Sequence, residues 1–318
     1  MSVPMAYLGV IVIWSTTPLA IQWSSDGPGF LFGVASRMAL SAVLALSAVT
    51  LLGSEMPLHR LARRAYLAAG LGIYGAMLLT YWAAQYIPSG WVSVLFGLTP
   101  IMTGVLAACW LGVSVLTPIR LVGLLLGLAG LAVMFVRSLQ IDSASVFGML
   151  GVTAATLVHA ASAVWIKRVG ADVPALAMVA GGLSIAAPLF LLTWVLVDGR
   201  LPAVVPVHAA GAILYLAVIG SLIGFALYYH LLRHLDATRV ALMTLVTPVL
   251  ALLLGHYLNG EVIAVEVWIG TGLIMAGLAL FEWVDRVDPA GSRGSRYDAP
   301  DAAVTIVEAA ARTACGKQ

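Results

Sequence analysis

Apolar residues fill this chain in long runs, and polar positions fall between them at near-regular intervals. A hydrocarbon core about 30 Å thick takes roughly 20 apolar residues as helix. Ten runs of about that length are present: 5–23, 29–52, 65–86, 88–110, 119–137, 147–167, 174–197, 209–231, 239–258 and 265–284. Pro and Gly punctuate the pattern at the same spacing. Connections as short as Ile87-Pro88 and Asn259-Gly260-Glu261 force the helices they join to run antiparallel. The pattern predicts an all-α polytopic membrane protein.

Basic residues test the count independently. With the N-terminus in the cytoplasm, the inner loops hold Arg60, Arg63, Arg64, Arg120, Lys167, Arg168, Arg233 and Arg239, and the outer loops only Arg137 and Arg200. Arg286, Arg293, Arg296, Arg312 and Lys317 of the tail add to the inside. This is the asymmetry the positive-inside rule expects, and one span more or fewer would scramble it. Both termini are then cytoplasmic.

A second pattern runs through the first. Thr99-Pro100 is followed by Leu111-Gly112, Val122-Gly123 and Ala129-Gly130-Leu131; Thr247-Pro248 is followed by Asn259-Gly260, Ile269-Gly270 and Ala276-Gly277-Leu278. Pro to Gly is twelve residues in both copies. Duplicated halves are a common plan for transporters. Five spans per half is an odd number, so the second half enters the membrane from the opposite side: a 5+5 inverted repeat of ten transmembrane helices. The halves are residues 1–140 and 141–286, and 287–318 is read as a disordered cytoplasmic tail. The Gly/Ser-rich polar composition of 285–298 suits that reading, with a short helix over 301–312 as an option.

Composition narrows the class further. Of 318 residues, 62% are apolar and 9% charged, where soluble domains carry about a quarter charged residues. A net charge of +2 gives no reason to expect nucleic acid. Cys109 and Cys315 form neither a disulfide framework nor a metal spacing. The N-terminus lacks the positive n-region of a secretory signal and is read as a retained helix. Deep acids, a His-Glu-x-x-His run and a Ser/His pair are missing, so an enzyme is not expected. Neither a filter-like loop nor a ring of charge suggests a channel. No cofactor or metal site is expected.

The order and spacing of several short motifs resemble the drug/metabolite transporter superfamily, in particular its EamA-type branch. They are Trp14-Ser15, Arg37 and Thr99-Pro100 in the first half. In the second they are Ala226-Leu227-Tyr228-Tyr229-His230-Leu231-Leu232, Ala237-Thr238-Arg239-Val240, Thr247-Pro248-Val249-Leu250-Ala251 and Gly260-Glu261. The likeness covers about residues 5–284. One departure stands out: Glu261 has Val113 as its first-half counterpart, where family members often carry Glu. The resemblance implies a carrier of small organic metabolites, often an exporter of amino acids or related compounds. The superfamily also holds nucleotide-sugar and phosphate-ester carriers.

Candidate pathway residues follow from what is costly or broken inside a span. Arg37 lies some 12 Å into the second span at 1.5 Å per residue. It is a substrate or gating partner, or it caps carbonyls and snorkels to the outer interface. His159, amid small neighbours, can titrate, hydrogen-bond a substrate or bond a neighbouring helix. Ser162 and Trp165 of the same span are taken with it. Trp14, Ser15, Thr16, Thr17 and Pro18 form a polar stretch broken by Pro, tolerated where it lines a cavity. Thr99-Pro100 and Thr247-Pro248 are hinges, binding groups or packing kinks. Tyr81 and Gln85, four residues apart, can share one helix face, and Tyr228 belongs to an aromatic cluster that also suits an interfacial belt. Glu261 is read as a cap on the tenth helix's N-terminus or a gating partner.

One Arg, one His and many aromatic and hydroxyl groups suit neutral, zwitterionic or amphipathic cargo better than polyanions. The expected activity is export across the inner membrane by alternating access, facilitated or weakly proton-coupled. Import, a nucleotide-sugar or phosphate-ester carrier, and a receptor or structural subunit are the alternatives. The expected partners are a small-molecule substrate and the lipid bilayer, with a homodimer left open.

Overall fold

A computed structural model describes residues 2–112, scattered positions of 119–133, residues 143–245 and residues 247–287. Every regular element among them is helical. The long ones are α1 (Val3–Ser25), α2 (Phe30–Leu51), α3 (Arg60–Ala83), α6 (Ser143–Val169), α7 (Ala175–Val197) and α12 (Val265–Val287). Between them lie α4 (Ser89–Phe96), α5 (Thr99–Leu111), α8 (Val207–Tyr215), α9 (Gly224–His234), α10 (Ala237–Ala241) and α11 (Thr247–Asn259). Among the described residues seven helical stretches are long and apolar enough to cross a membrane, counting Ser89–Leu111 and Val207–His234 as one each. About half of the span expected at 119–137, the tail of 287–318 beyond its first residue and the helix at 301–312 lie outside the described residues. The positions of 119–133 that are described are helical.

Three spans read as continuous helices are not continuous. The fourth breaks between Phe96 and Thr99, so Pro100 stands in the first turn of α5, where a missing N–H loses nothing. The ninth steps from α10 through a 3-10 turn, Leu242–Leu245, into α11, with Pro248 again in the first turn. Gly112 and Gly260 follow α5 and α11 with φ of 67° and 64°, the left-handed ending that glycine tolerates best. The two Pro-to-Gly intervals are therefore two short helices of matching length. The eighth span opens into a π-helix, Leu216–Ile223, between α8 and α9. Conversely, α1 runs through Pro18 unbroken. Ser15 donates to the Ile11 carbonyl and Thr17 to that of Ile13, which keeps this turn's polar groups satisfied.

Small residues let the helices approach closely, as packing in lipid requires. Along α3, Ala62, Ala65, Ala68 and Ala69 are buried, and the helix lies against α6 and α7. An added methyl at Gly70 would come within 2.8 Å of the Gly182 carbonyl oxygen. One at Gly130 would come within 2.5 Å of the Gly270 carbonyl oxygen, and one at Gly277 would run into Gly123. Large side chains such as Leu8, Leu51, Leu196 and Val207 point outward and are exposed, as a lipid-facing surface requires.

Polar side chains gather at the two ends. At the end where α1 finishes, Trp23 Nε1 donates to Asn259 Oδ1 (3.2 Å), Gln22 Nε2 to the Ile87 carbonyl (2.9 Å), and His208 meets Asp26 (2.8 Å). Ser145 Oγ, near the start of α6, donates to the Tyr86 carbonyl at that same end. At the opposite end Tyr7 Oη donates to the Arg239 carbonyl (3.3 Å), and Arg233 pairs with Asp172 (2.7 Å).

Candidate functional site

The broken fourth and ninth spans both meet α1, and a cavity of about 80 Å³ opens beside them. Its wall combines Trp14, Thr17 and Pro18 of α1, Arg37 of α2, Thr80 of α3, Ser93 and Phe96 of α4, and His159 and Ser162 of α6. Tyr228 and Tyr229 of α9, Thr244 of the 3-10 turn and Thr247 of α11 join it, and Ile21, Ile73, Ala76, Met77, Val92 and Phe225 supply its apolar surface. A smaller hollow next to it is lined by Trp14, Thr99, Thr103, His159, Tyr228 and Thr244.

The aromatic side of the wall is a ring cluster. Trp14 lies 5.3 Å from Tyr228 and 5.8 Å from His159; His159 lies 5.3 Å from Tyr228 and 6.2 Å from Phe96. These centroid separations are those of favourable offset and edge-on pairs. Among the described residues His159 makes these ring contacts and no hydrogen bond, so the interhelical bond considered for it is absent. Ser162 does bond across helices, donating to the Ala68 carbonyl at 2.9 Å.

Arg37 does not snorkel. It is 1% exposed, with Nε on Ser221 Oγ at 2.9 Å and Nη1 on Tyr81 Oη at 3.4 Å. The π-helical opening beside Gly220 lets α2 bring this side chain to the cavity.

The other candidates divide. Thr99 and Thr247 close equivalent turns, donating to the Phe96 carbonyl (2.5 Å) and the Thr244 carbonyl (3.4 Å). Pro100 and Pro248 are buried beside them but do not line the cavity. Ser15 is buried on its own helix's carbonyl, and Tyr81 stands behind Arg37. Gln85 is not paired with Tyr81. Helix α3 ends at Ala83, so the i,i+4 relation fails, and Gln85 is exposed with its amide on the Trp82 carbonyl. Trp165, at 36% exposed, lies outside the cavity wall.

Glu261 caps a helix, but not the one that follows it. Its carboxylate accepts from Ser89 N (3.0 Å), Ser89 Oγ (2.6 Å) and Gly90 N (3.2 Å), which is the N-terminus of α4 in the other half of the sequence. Sequence reasoning missed Thr80, Ser93, Phe96 and Thr244. Phe96 and Thr244 each sit three residues before a Thr-Pro step, so the repeat itself carried the signal that would have found them.

A cavity reached from broken helices inside a stack of membrane-length spans is transporter architecture. The chain matches the EamA-like transporter family over residues 2–136 and again over 146–283. The protein belongs to the EamA-like transporter family. Members of this family are transporters, and this EamA-like chain is a multi-pass membrane protein. It is 26% identical over 278 residues to the uncharacterized inner membrane transporter YedA of Escherichia coli K12, covering 86% of this chain and 89% of that one. It is 28% identical over 280 residues to a probable terminal-alkyne amino-acid exporter of Streptantibioticus cattleyicolor, covering 85% and 90%. A crystal structure 23% identical in sequence shares the fold, with a TM-score of 0.68 over 90% of this chain and 99% of the other.

Proposed function

We propose that this protein is a secondary carrier that exports small, amphipathic, amino-acid-like metabolites across the inner membrane by alternating access, with the central cavity as the substrate pathway. The observation that carries this reading is the cavity wall, built from both halves of the sequence around two broken helices. Its size favours small cargo. At about 80 Å³ the cavity is closer in scale to an amino acid than to a nucleotide sugar. The exporter relative supports the outward direction, and the inner-membrane relative supports the location. The reading is of a carrier and not an enzyme, without metal or cofactor.

The reading includes ten spans in a 5+5 inverted repeat, residues 1–140 and 141–286, with cytoplasmic termini. Crossed glycine contacts support it. Gly123 corresponds to Gly270 and Gly130 to Gly277, and the contacts run Gly130 to Gly270 and Gly123 to Gly277. A two-fold axis pairs equivalent positions in this crosswise way. Helix direction agrees: α1 finishes at the end of the bundle where α6, its counterpart, starts.

Counterflow in proteoliposomes loaded with a panel of amino acids and related metabolites tests the proposal. At least one amphipathic panel member should exchange, competitively with its congeners. Tight binding of a panel member without any exchange would sink the carrier reading.

A further inference from the structure

Among the described residues Arg37 is a buried cation with no acid beside it. A guanidinium inside a membrane span is costly, and buried charges are ordinarily paired. Here its partners are the hydroxyls of Ser221 and Tyr81, with Cζ 5.9 Å from the Tyr81 ring centroid. The described ion pairs lie elsewhere, on Asp26, Asp172 and Asp236. No Asp or Glu is among the described residues lining the cavity that Arg37 faces. A guanidinium has five N–H donors, and two are in use.

The group is also held in place. The π-helical stretch Leu216–Ile223 carries Ser221 to Nε. Ser41 Oγ, in reach of the Arg37 carbonyl at 2.6 Å and the Ala217 carbonyl at 3.1 Å, ties α2 to the same stretch. Gly220 leaves the side of Nη2 open, since a Cβ there would stand 3.4 Å from that nitrogen. Such π-helical turns recur at functional sites.

We propose that Arg37 receives the carboxylate of the transported molecule, and that the cargo class is small apolar monocarboxylates. This rests on the reading of the cavity as a substrate pathway. The charge of the cargo is single because Arg37 is the one Lys or Arg among the described residues of the wall. Its body is apolar because the rest of the wall is mostly rings and aliphatic groups, with a few hydroxyls. An amino group is accommodated but not required: it meets the ring faces of Trp14 and Tyr228 and no carboxylate. Zwitterionic amino acids and their deaminated acids are therefore both ligands, and the corresponding amines are not.

The test uses the purified full-length protein and isosteric pairs, phenylacetate with 2-phenylacetamide and hexanoate with hexanamide, titrated by calorimetry. The acid of at least one pair should bind about tenfold or more tightly than its amide, the usual worth of a charge-assisted hydrogen bond. Phenethylamine should not bind. Arg37→Gln should remove the acid preference, and Arg37→Lys should keep a weaker one, because a point charge replaces a fork. If Arg37→Gln does not fold, Ser221→Ala and Tyr81→Phe keep the charge but loosen its aim, and each should cut the preference severalfold. Equal affinity for acid and amide in the unaltered protein, no binding of either, or a preference that survives these substitutions would overturn the proposal. Counterflow separates the two readings. Acid binding that depends on Arg37 without exchange defeats the carrier and spares the carboxylate site. Exchange of amides as fast as acids does the reverse.

Discussion

The two ends of the bundle are closed by different chemistry. Where α1 finishes, links cross between the halves one after another: Asp26 to His208, Trp23 to Asn259, and the Glu261 carboxylate to the N-terminus of α4. Toward the other end the described crossing bonds include the 3.3 Å one from Tyr7 to the Arg239 carbonyl and the 2.9 Å one from Ser162 to the Ala68 carbonyl, while Arg233 and Asp172 pair within the second half. One sequence position supplies part of the difference. Glu261 offers a charged acceptor to another half's helix dipole, and its counterpart Val113 has none to offer. A carrier built of repeats keeps its two gates equivalent only while such positions match. On the proposed topology the latched end faces outward.

Removing the latch should give the largest effect. Glu261→Ala strands Ser89 N, Ser89 Oγ and Gly90 N, a loss of about 1–3 kcal/mol. The expected outcomes are a lower unfolding temperature in detergent and faster labelling, from outside, of a cysteine placed at Ala76 in the cavity. Glu261→Gln keeps an acceptor and should lose less. Unchanged labelling in both would remove the latch from the mechanism.

A crowding test comes next. A methyl at Gly255 collides with the Glu261 carboxylate, whereas one at Gly272 meets open space. Gly255→Ala should cost about 1–3 kcal/mol by overpacking, and Gly272→Ala should stay within about 0.5 kcal/mol. Equal melting shifts would mean that the carboxylate yields freely.

The opposite end should respond least. The Arg233 and Asp172 side chains are 43% and 77% exposed, and exposed pairs are worth about 0–1 kcal/mol. A double-mutant cycle of Arg233→Gln and Asp172→Asn should therefore give a small coupling energy in thermal melts. A coupling as large as the Glu261 effect would erase the contrast between the ends.

Much of the fold was legible in the sequence, because apolar length and Pro/Gly punctuation report directly on spans. The twelve-residue interval from Pro100 to Gly112, and from Pro248 to Gly260, already contained two short helices, since both residues are helix-boundary chemistry. The site was only half legible. Trp14, Thr17, His159, Ser162, Tyr228 and Thr247 do face one cavity. Gln85 and Trp165 do not, because facing depends on where a helix ends and which side meets lipid, and neither is written in spacing. Arg37 carried two readings by depth alone, and burial among Ser221 and Tyr81 decides against the interface. Ser221 itself was hidden in Leu216–Ile223, an otherwise apolar stretch with no mark of a π-turn.

That stretch also sets the angular phase of its span. A regular helix advances about 100° per residue, and a π-turn absorbs an additional residue without lengthening the path to match. Tyr215, which meets Thr16 at 2.5 Å, and Tyr228, which stacks with Trp14 and His159, therefore point where they do only because of the slip between them. Deleting one residue from 216–223 would let the stretch close into a regular helix with Tyr215 and Tyr228 near their present facing, and it would remove the bulge that carries Ser221 to Arg37. A change of count, and not of kind, is then what separates the facing of the tyrosines from the hold on the cation.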